Sequence, residues 1–250
     1  MIQLKSVREI DVMAEGGKIL AATVQMLRRE VRAGVSTQDL DALAESFIRS
    51  HAGATPAFKG LYGFPGTLCT SINQEIVHGI PSKKRVLKEG DIISIDVGVG
   101  YQGYFTDSAT TVAVGAVDAE TTRLLDITER SLVAGIAAAV PGNYLGDIGA
   151  AVQRVVEDAG FSVVRDLVGH GIGVAFHEEP QVPNYGKAKR GLKLVPGLTI
   201  AIEPMVNIGG PATRTLADKW TIVTVDGSRS AHFEHTVAIT DSGNRVLTAA

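Results

Sequence analysis

The sequence predicts a mixed α/β (α+β) fold of two similar halves, and three observations carry that prediction. Residues 87–96 (LKEGDIISID) and 194–203 (LVPGLTIAIE) repeat one pattern at an offset of 107 positions: a Gly turn, a β-prone apolar segment, and a carboxylate at the end, Asp96 or Glu203. Gly53 and Gly160, and Gly90 and Gly197, keep the same offset. Stretches of helical apolar periodicity alternate with short β-rich runs. One domain spanning 1–250, with halves of about 1–115 and 116–250, accommodates all three.

The elements follow in chain order. From Ser6 onward Val7, Ile10, Met13, Gly17, Leu20, Val24 and Leu27 recur three or four residues apart, the spacing of an amphipathic helix that needs an apolar partner. Ser36 and Thr37 are cap candidates for a second helix, 38–49, stopped at Gly53. The second half repeats the pair: a helix over 120–140 broken by Pro141-Gly142, then a helix over 145–158 stopped at Gly160. Between helices and repeated strands lie 68–78 and 163–177, each containing His-Gly-Ile, at His78 and His170. The run 104–114 alternates as a strand does and carries Asp107. Two β-rich runs, 220–225 and 230–239, flank Asp226-Gly227, a hairpin signal, and Glu234 sits in the second.

Composition removes several classes of function. A hydrophobic share of 45% with 20% charged residues is that of a globular protein with a large core. The net charge of −3, with acids and bases interspersed, offers no basic stripe for nucleic acid. Cys69 is the lone cysteine, which excludes an internal disulfide. Neither a signal peptide nor an apolar run of membrane-spanning length is evident, so no membrane partner and a cytoplasmic location are expected.

Five polar residues stand on otherwise apolar segments: Asp96, Asp107, His170, Glu203 and Glu234. Singly, each acid is best explained by a salt bridge or a solvated face, and His170 by a loop. Together they sit on segments that the internal symmetry brings towards one centre, without a matching supply of Lys or Arg. One carboxylate pair about 4 Å apart repels by roughly 4 kcal/mol at an effective dielectric of 20. Two divalent cations cancel four such charges and can activate water. With one imidazole among five donors the set is oxygen-rich, which suits manganese, iron or cobalt as well as zinc.

Longer motifs carry a resemblance: SINQEIVHGIP (71–81), the spacing of Asp96 to Asp107, GHGIG (169–173), FHEEPQVPNYG (176–186), TIAIEPM (199–205) and FEHTV (233–237). In these, in their order and over nearly its whole length, the chain resembles the type I methionine aminopeptidases. The resemblance implies the pita-bread fold, in which a curved, mainly antiparallel sheet is backed by helices, and the excision of initiator Met ahead of a small second residue. It implies that Asp107 and Glu234 bridge two metal ions, that Asp96 chelates one, and that His170 and Glu203 bind the other. Glu203 would then accept a proton from the attacking water. His177 would hydrogen-bond the substrate carbonyl or oxyanion, and His78 the scissile amide nitrogen or the substrate backbone. Leu61, Phe64, Cys69, Phe176 and Trp220 fall in the Met side-chain pocket, where Cys69 packs and is no nucleophile.

The chain departs from the family pattern at Thr106, where Gly is usual, at Ser108-Ala109, at Gly98, where Thr commonly supports the metal-binding Asp, at His232, where Gln is frequent, and at Leu61, where Tyr is frequent. A ribosome-docking zinc-finger extension is not expected. The implied partner is the N-terminus of a nascent polypeptide near the ribosome, met by a monomer. Two rival readings stand beside this one: an X-Pro peptidase on the same fold, and a non-catalytic pita-bread binding protein without its metals.

Overall fold

The computed structural model describes residues 2–249. Four long helices, α1 (Val7–Glu30), α2 (Thr37–Arg49), α3 (Ala119–Ala138) and α4 (Leu145–Asp158), fall two to each half. Ser6 and Ser36 each close a capping box, with Glu9 and Asp39 reaching back to the cap. Ser36 is thus the cap and Thr37 already helical, one residue earlier than the sequence pattern indicates. The third helix begins behind Asp118, whose side chain caps Thr121, and ends at Ala138 instead of 140 because Ala139 (φ −81°, ψ 65°) leaves the helical region. On α1 the apolar stripe is buried except at its edges, where Val7 is exposed and Val24 half-buried. Gly17 belongs to that stripe because α1 crosses the C-terminal segment closely: a Cβ there would stand 2.0 Å from the Leu247 carbonyl oxygen.

All strand pairing is antiparallel among the described residues. In the first half the strand Ile92–Tyr101 is central, flanked by Leu68–Ile72, Ala54–Pro56 and the long partner Tyr104–Ala113. In the second half the order is Gly243–Val246, His235–Thr240, Thr199–Ile202, Gly169–Gly171, Glu178–Val182. Each pair of helices packs on the sheet of its own half. Leu20, Leu27, Leu40 and Ile48 meet Leu68, Ile93, Ile95 and Val97. Leu124, Ile148, Val152 and Val156 meet Ile200, Ile202, Val237 and Ile239. At the repeated glycines the backbone conformations match. Gly53 and Gly160 have φ of 83° and 78°, Gly90 and Gly197 of 86° and 90°, so both copies make the same left-handed turns.

Two expectations change. The first repeated strand does not end on its acid: it runs past Asp96 to Tyr101, because the hairpin partner Tyr104–Ala113 continues its ladder, whereas Glu203 follows the end of Thr199–Ile202. Nor do the runs on either side of Asp226-Gly227 form a hairpin. The turn exists, with Gly227 at φ 77°, but Ile222–Thr224 pairs with Thr213–Thr215 and Glu75–Val77. Ser230–His232 pairs instead with Met205–Asn207, and His235–Thr240 is a separate strand in the five-stranded sheet.

Hydroxyl groups stitch the halves together along the edge of Tyr104–Ala113. Asp107 N–H donates to Thr236 Oγ1 (2.8 Å), which donates to the Asp107 carbonyl (2.8 Å). Ser108 Oγ donates to the Glu234 carbonyl (2.7 Å), and Glu234 N–H donates to the Ala109 carbonyl (2.9 Å). This seam sets Asp107 beside Glu234. No helix is long and apolar enough to cross a membrane among the described residues.

Candidate metal centre

Sheet geometry explains how the two first-half acids meet. Asp96 is opposite Cys69 on one side and Ala109 on the other, and Asp107 is opposite Gly98. Residues 96 and 98 lie two apart on one strand, so Asp96, Asp107 and Cys69 share a face. Asp96 and Asp107 are diagonal neighbours on it. From the second half, His170 enters on Gly169–Gly171, where the register slips between His170 and Gly171. Its Nδ1 lies 2.8 Å from the Gly171 carbonyl oxygen. A carbonyl only accepts, so the proton sits on Nδ1 and Nε2 presents its lone pair to the acids. That Nε2 is 3.6 Å from Glu203 Oε1 and 4.0 Å from Asp107 Oδ2.

The five residues surround one end of a cavity of about 630 Å³. Donor atoms of Asp107, His170 and Glu234 lie within 4.8 Å of one another. Burial, followed by the Glu234 and Asp96 charges, holds the Asp107 carboxyl well above the usual carboxylate range. Burial also raises Glu203, with Asp107 and Asp96 adding to it, and Glu234, with Glu203 and Asp96 adding. Asp96 is pushed up to about 7, chiefly by burial. Burial moves His170 the other way, down to about 4.

The donor set fits a metal ion on this structure's own terms. Asp96 Oδ1, Asp107 Oδ1 and Glu234 Oε1 are buried with no hydrogen-bond partner. Among the described residues no Lys or Arg comes within 4.0 Å of these carboxylates. Buried acids of this kind are costly unless a cation offsets them.

Every residue expected in the apolar pocket lines this cavity: Leu61, Phe64, Cys69, Phe176 and Trp220. Phe64 and Trp220 meet edge to face at 5.1 Å. Burial, with the Asp96 charge next, raises the Cys69 thiol, so it packs as a neutral group. His78 and His177 also line the cavity. His78 has φ 60°, held where Gly79 passes so close to Thr70 that a Cβ would stand 2.1 Å from its carbonyl oxygen. His177 is exposed at the mouth, its ring stacked on Tyr62 (5.6 Å, 21°) with Nδ1 3.2 Å from the Tyr62 hydroxyl.

Tyr62 and Phe58 were not among the expected lining residues. Tyr62 sits on a three-residue 3₁₀ turn, Leu61–Gly63, too short to show any periodicity. Phe58 packs on the Phe176 ring (5.2 Å) as an ordinary core aromatic would. The Gly98 departure has a physical reason: a Cβ there would stand 2.6 Å from the Phe176 ring and 2.9 Å from Ala57 Cβ. That ring occupies the space a side chain at 98 would need. Gly98→Ala therefore displaces Phe176 at an overpacking cost of about 1–3 kcal/mol. The expected result is a melting temperature lowered by roughly 2–4 °C for each kcal/mol, measured by scanning calorimetry.

The sequence model of metallopeptidase family M24 matches residues 11–241 of the chain. The chain is 51% identical to methionine aminopeptidase 1 of Bacillus subtilis (strain 168), over 99% of each. It is 52% identical to the methionine aminopeptidase of Clostridium perfringens (strain 13 / Type A), again over 99% of each. The crystal structure of the Thermotoga maritima methionine aminopeptidase superposes with a TM-score of 0.98 at 44% identity, over 100% of both chains. A prolidase from Pyrococcus horikoshii OT3 superposes with a TM-score of 0.80 at 23% identity, and the match covers 63% of that longer chain. The latter likeness speaks to the shared pita-bread architecture alone.

Proposed function

The chain belongs to metallopeptidase family M24 and, within it, to the methionine aminopeptidases, and we propose that it excises the initiator Met from nascent chains whose second residue is small, using two divalent ions. The observation that carries this reading is the cluster of unpartnered buried carboxylates at one end of an apolar cavity. Asp96, Asp107, His170, Glu203 and Glu234 would hold the ions, whose identity among cobalt, manganese, iron and zinc is set by supply as much as by the donors. When bound, the ions supply Lewis acidity at the scissile carbonyl and a water acidified towards neutrality.

The chain's own groups do the rest. Glu203 accepts the proton of the attacking water and returns it to the leaving amine. His177 donates a hydrogen bond to the oxygen that gains negative charge. In the tautomer that serves this role the Tyr62 hydroxyl, 3.2 Å away, donates to Nδ1 and the ring proton is on Nε2. His78 orients the substrate backbone. Leu61, Phe64, Cys69, Phe176 and Trp220 enclose the unbranched Met side chain, whose sulfur gains from aromatic edges. On this reading the enzyme acts in the cytoplasm near the ribosome, as a monomer, on the N-termini of nascent polypeptides.

Rates on a Met-Ala-Ser and an Ala-Pro peptide test this against the X-Pro alternative. We expect cleavage of the first at least a hundredfold faster than of the second. Preference for Ala-Pro, or inactivity on both with metal bound, overturns the reading.

A further inference from the structure

His232 is a buried imidazole that the chemistry above does not use. It is 1% exposed, and neither ring nitrogen has a hydrogen-bond partner. Its backbone is pinned on both sides of the seam: His232 N–H donates to Thr111 Oγ1, which donates to the His232 carbonyl, both at 2.8 Å. On the other side the strand is in register with Met205. Nε2 points between two of the acids, 3.8 Å from Glu203 Oε2 and 3.9 Å from Glu234 Oε2.

Those separations are too long for a hydrogen bond and too short for an intervening water, whose two hydrogen bonds span roughly 4.5–5.5 Å. They suit a shared ion. Two donors bonded to one metal at about 2.0–2.2 Å lie roughly 3 to 4 Å apart. His170 provides an internal standard, since its Nε2 stands 3.6 and 4.0 Å from its own two carboxylate oxygens. The two imidazoles address opposite oxygens of Glu203: Oε1 faces His170 and Oε2 faces His232.

We propose that His232 is a further metal ligand, supplying a second imidazole nitrogen to the centre from between Glu203 and Glu234. The inference rests on the cluster being a metal centre, and it makes that centre richer in nitrogen than five donors imply. A second imidazole shifts preference towards zinc, cobalt or iron and away from oxygen-seeking ions such as manganese and magnesium.

The test is to load the metal-free full-length protein with cobalt(II) and count histidine ligands by paramagnetic NMR on a sample carrying ¹⁵N-labelled histidine. Two strongly hyperfine-shifted ring N–H signals are expected, and one after His232→Gln. Calorimetric titration should show cobalt affinity at one site at least tenfold weaker in the variant, with circular dichroism confirming that the metal-free variant is folded. The count in the unsubstituted protein needs no variant, so misfolding of His232→Gln leaves it decisive. A single shifted signal, with cobalt affinity within twofold in the variant, overturns the role of His232 and leaves the five-ligand centre standing. Absence of cobalt binding by the unsubstituted protein overturns both.

Discussion

Exhaustive chelation is expected to abolish hydrolysis of Met-Ala-Ser, and the resulting metal-free protein is expected to lose thermal stability as pH rises above about 6.5, whereas the metal-loaded protein does not. The first half follows from a site whose own groups provide a proton acceptor and hydrogen-bond donors but no electrophile. The second follows from the carboxylates. Asp96 is raised by burial from 3.8 to about 7, and Asp107, Glu203 and Glu234 are raised as well, by burial first and then by the neighbouring carboxylates of the cluster. A carboxyl with a raised folded-state pKa binds its proton more tightly in the fold than in the unfolded chain. Its contribution is complete below the ordinary value and is lost as pH rises through the folded one.

The buried histidines run the other way. Burial lowers His170 and His78 to about 4 and His232 to about 3. Their contribution is present above about 6.5 and is lost as pH falls, so above that pH only the acids act. A bound cation replaces the protons as counter-charge, and its affinity rises with pH because the ligands must be deprotonated. Melting curves of chelated and reloaded protein between pH 6.5 and 8.5 check the sign. A melting temperature of the chelated protein that is flat or rising across that range would sink the electrostatic account. Add-back of single metals to the chelated enzyme identifies which ions restore turnover.

How much of this was legible in the chain depended on whether the signal was local. An acid inside an apolar β-run is conspicuous at its own position, and all four such acids reach one cavity together with His170. Gly53, Gly90, Gly160 and Gly197 announced their left-handed turns because such a turn is a local demand. Strand partnership is a different matter. Asp226-Gly227 makes the turn that its residue types require, yet the flanking strands do not pair with each other: one joins Thr213–Thr215 and Glu75–Val77, the other Met205–Asn207. The hydroxyl seam from Asp107 to Thr236 is equally silent, since Thr and Ser in strands have many ordinary uses. At Gly98 the local reading was an absent support for Asp96. Only the fold reveals the Phe176 ring in its place, which turns an apparent loss into a packing trade between the metal face and the pocket.

Glu203→Gln is expected to lower kcat by at least about a thousandfold, within the range associated with losing a positioned proton acceptor, while KM changes little and the fold is kept. The repeat places Asp96 and Glu203 at equivalent points, and the structure shows why they need not do equivalent work. Asp96 lies within a ten-residue strand, laddered on both sides and 8% exposed. Glu203 follows the end of its four-residue strand, is half-buried, and reaches the cavity on a longer side chain. Gln keeps that reach and can still offer an oxygen to a metal, but it cannot take a proton at neutral pH. It also removes one charge from a cluster whose members repel, so the metal-free variant should melt no lower than the parent at pH 8. Asp96→Asn supplies the contrast: weakened metal binding with activity partly recovered at excess metal, a recovery that Glu203→Gln lacks because its defect is the missing proton acceptor. Steady-state kinetics across a metal titration separate the two. A Glu203→Gln enzyme with near-parental kcat, or one rescued by metal as Asp96→Asn is, would reduce Glu203 to a ligand and move the proton transfer elsewhere.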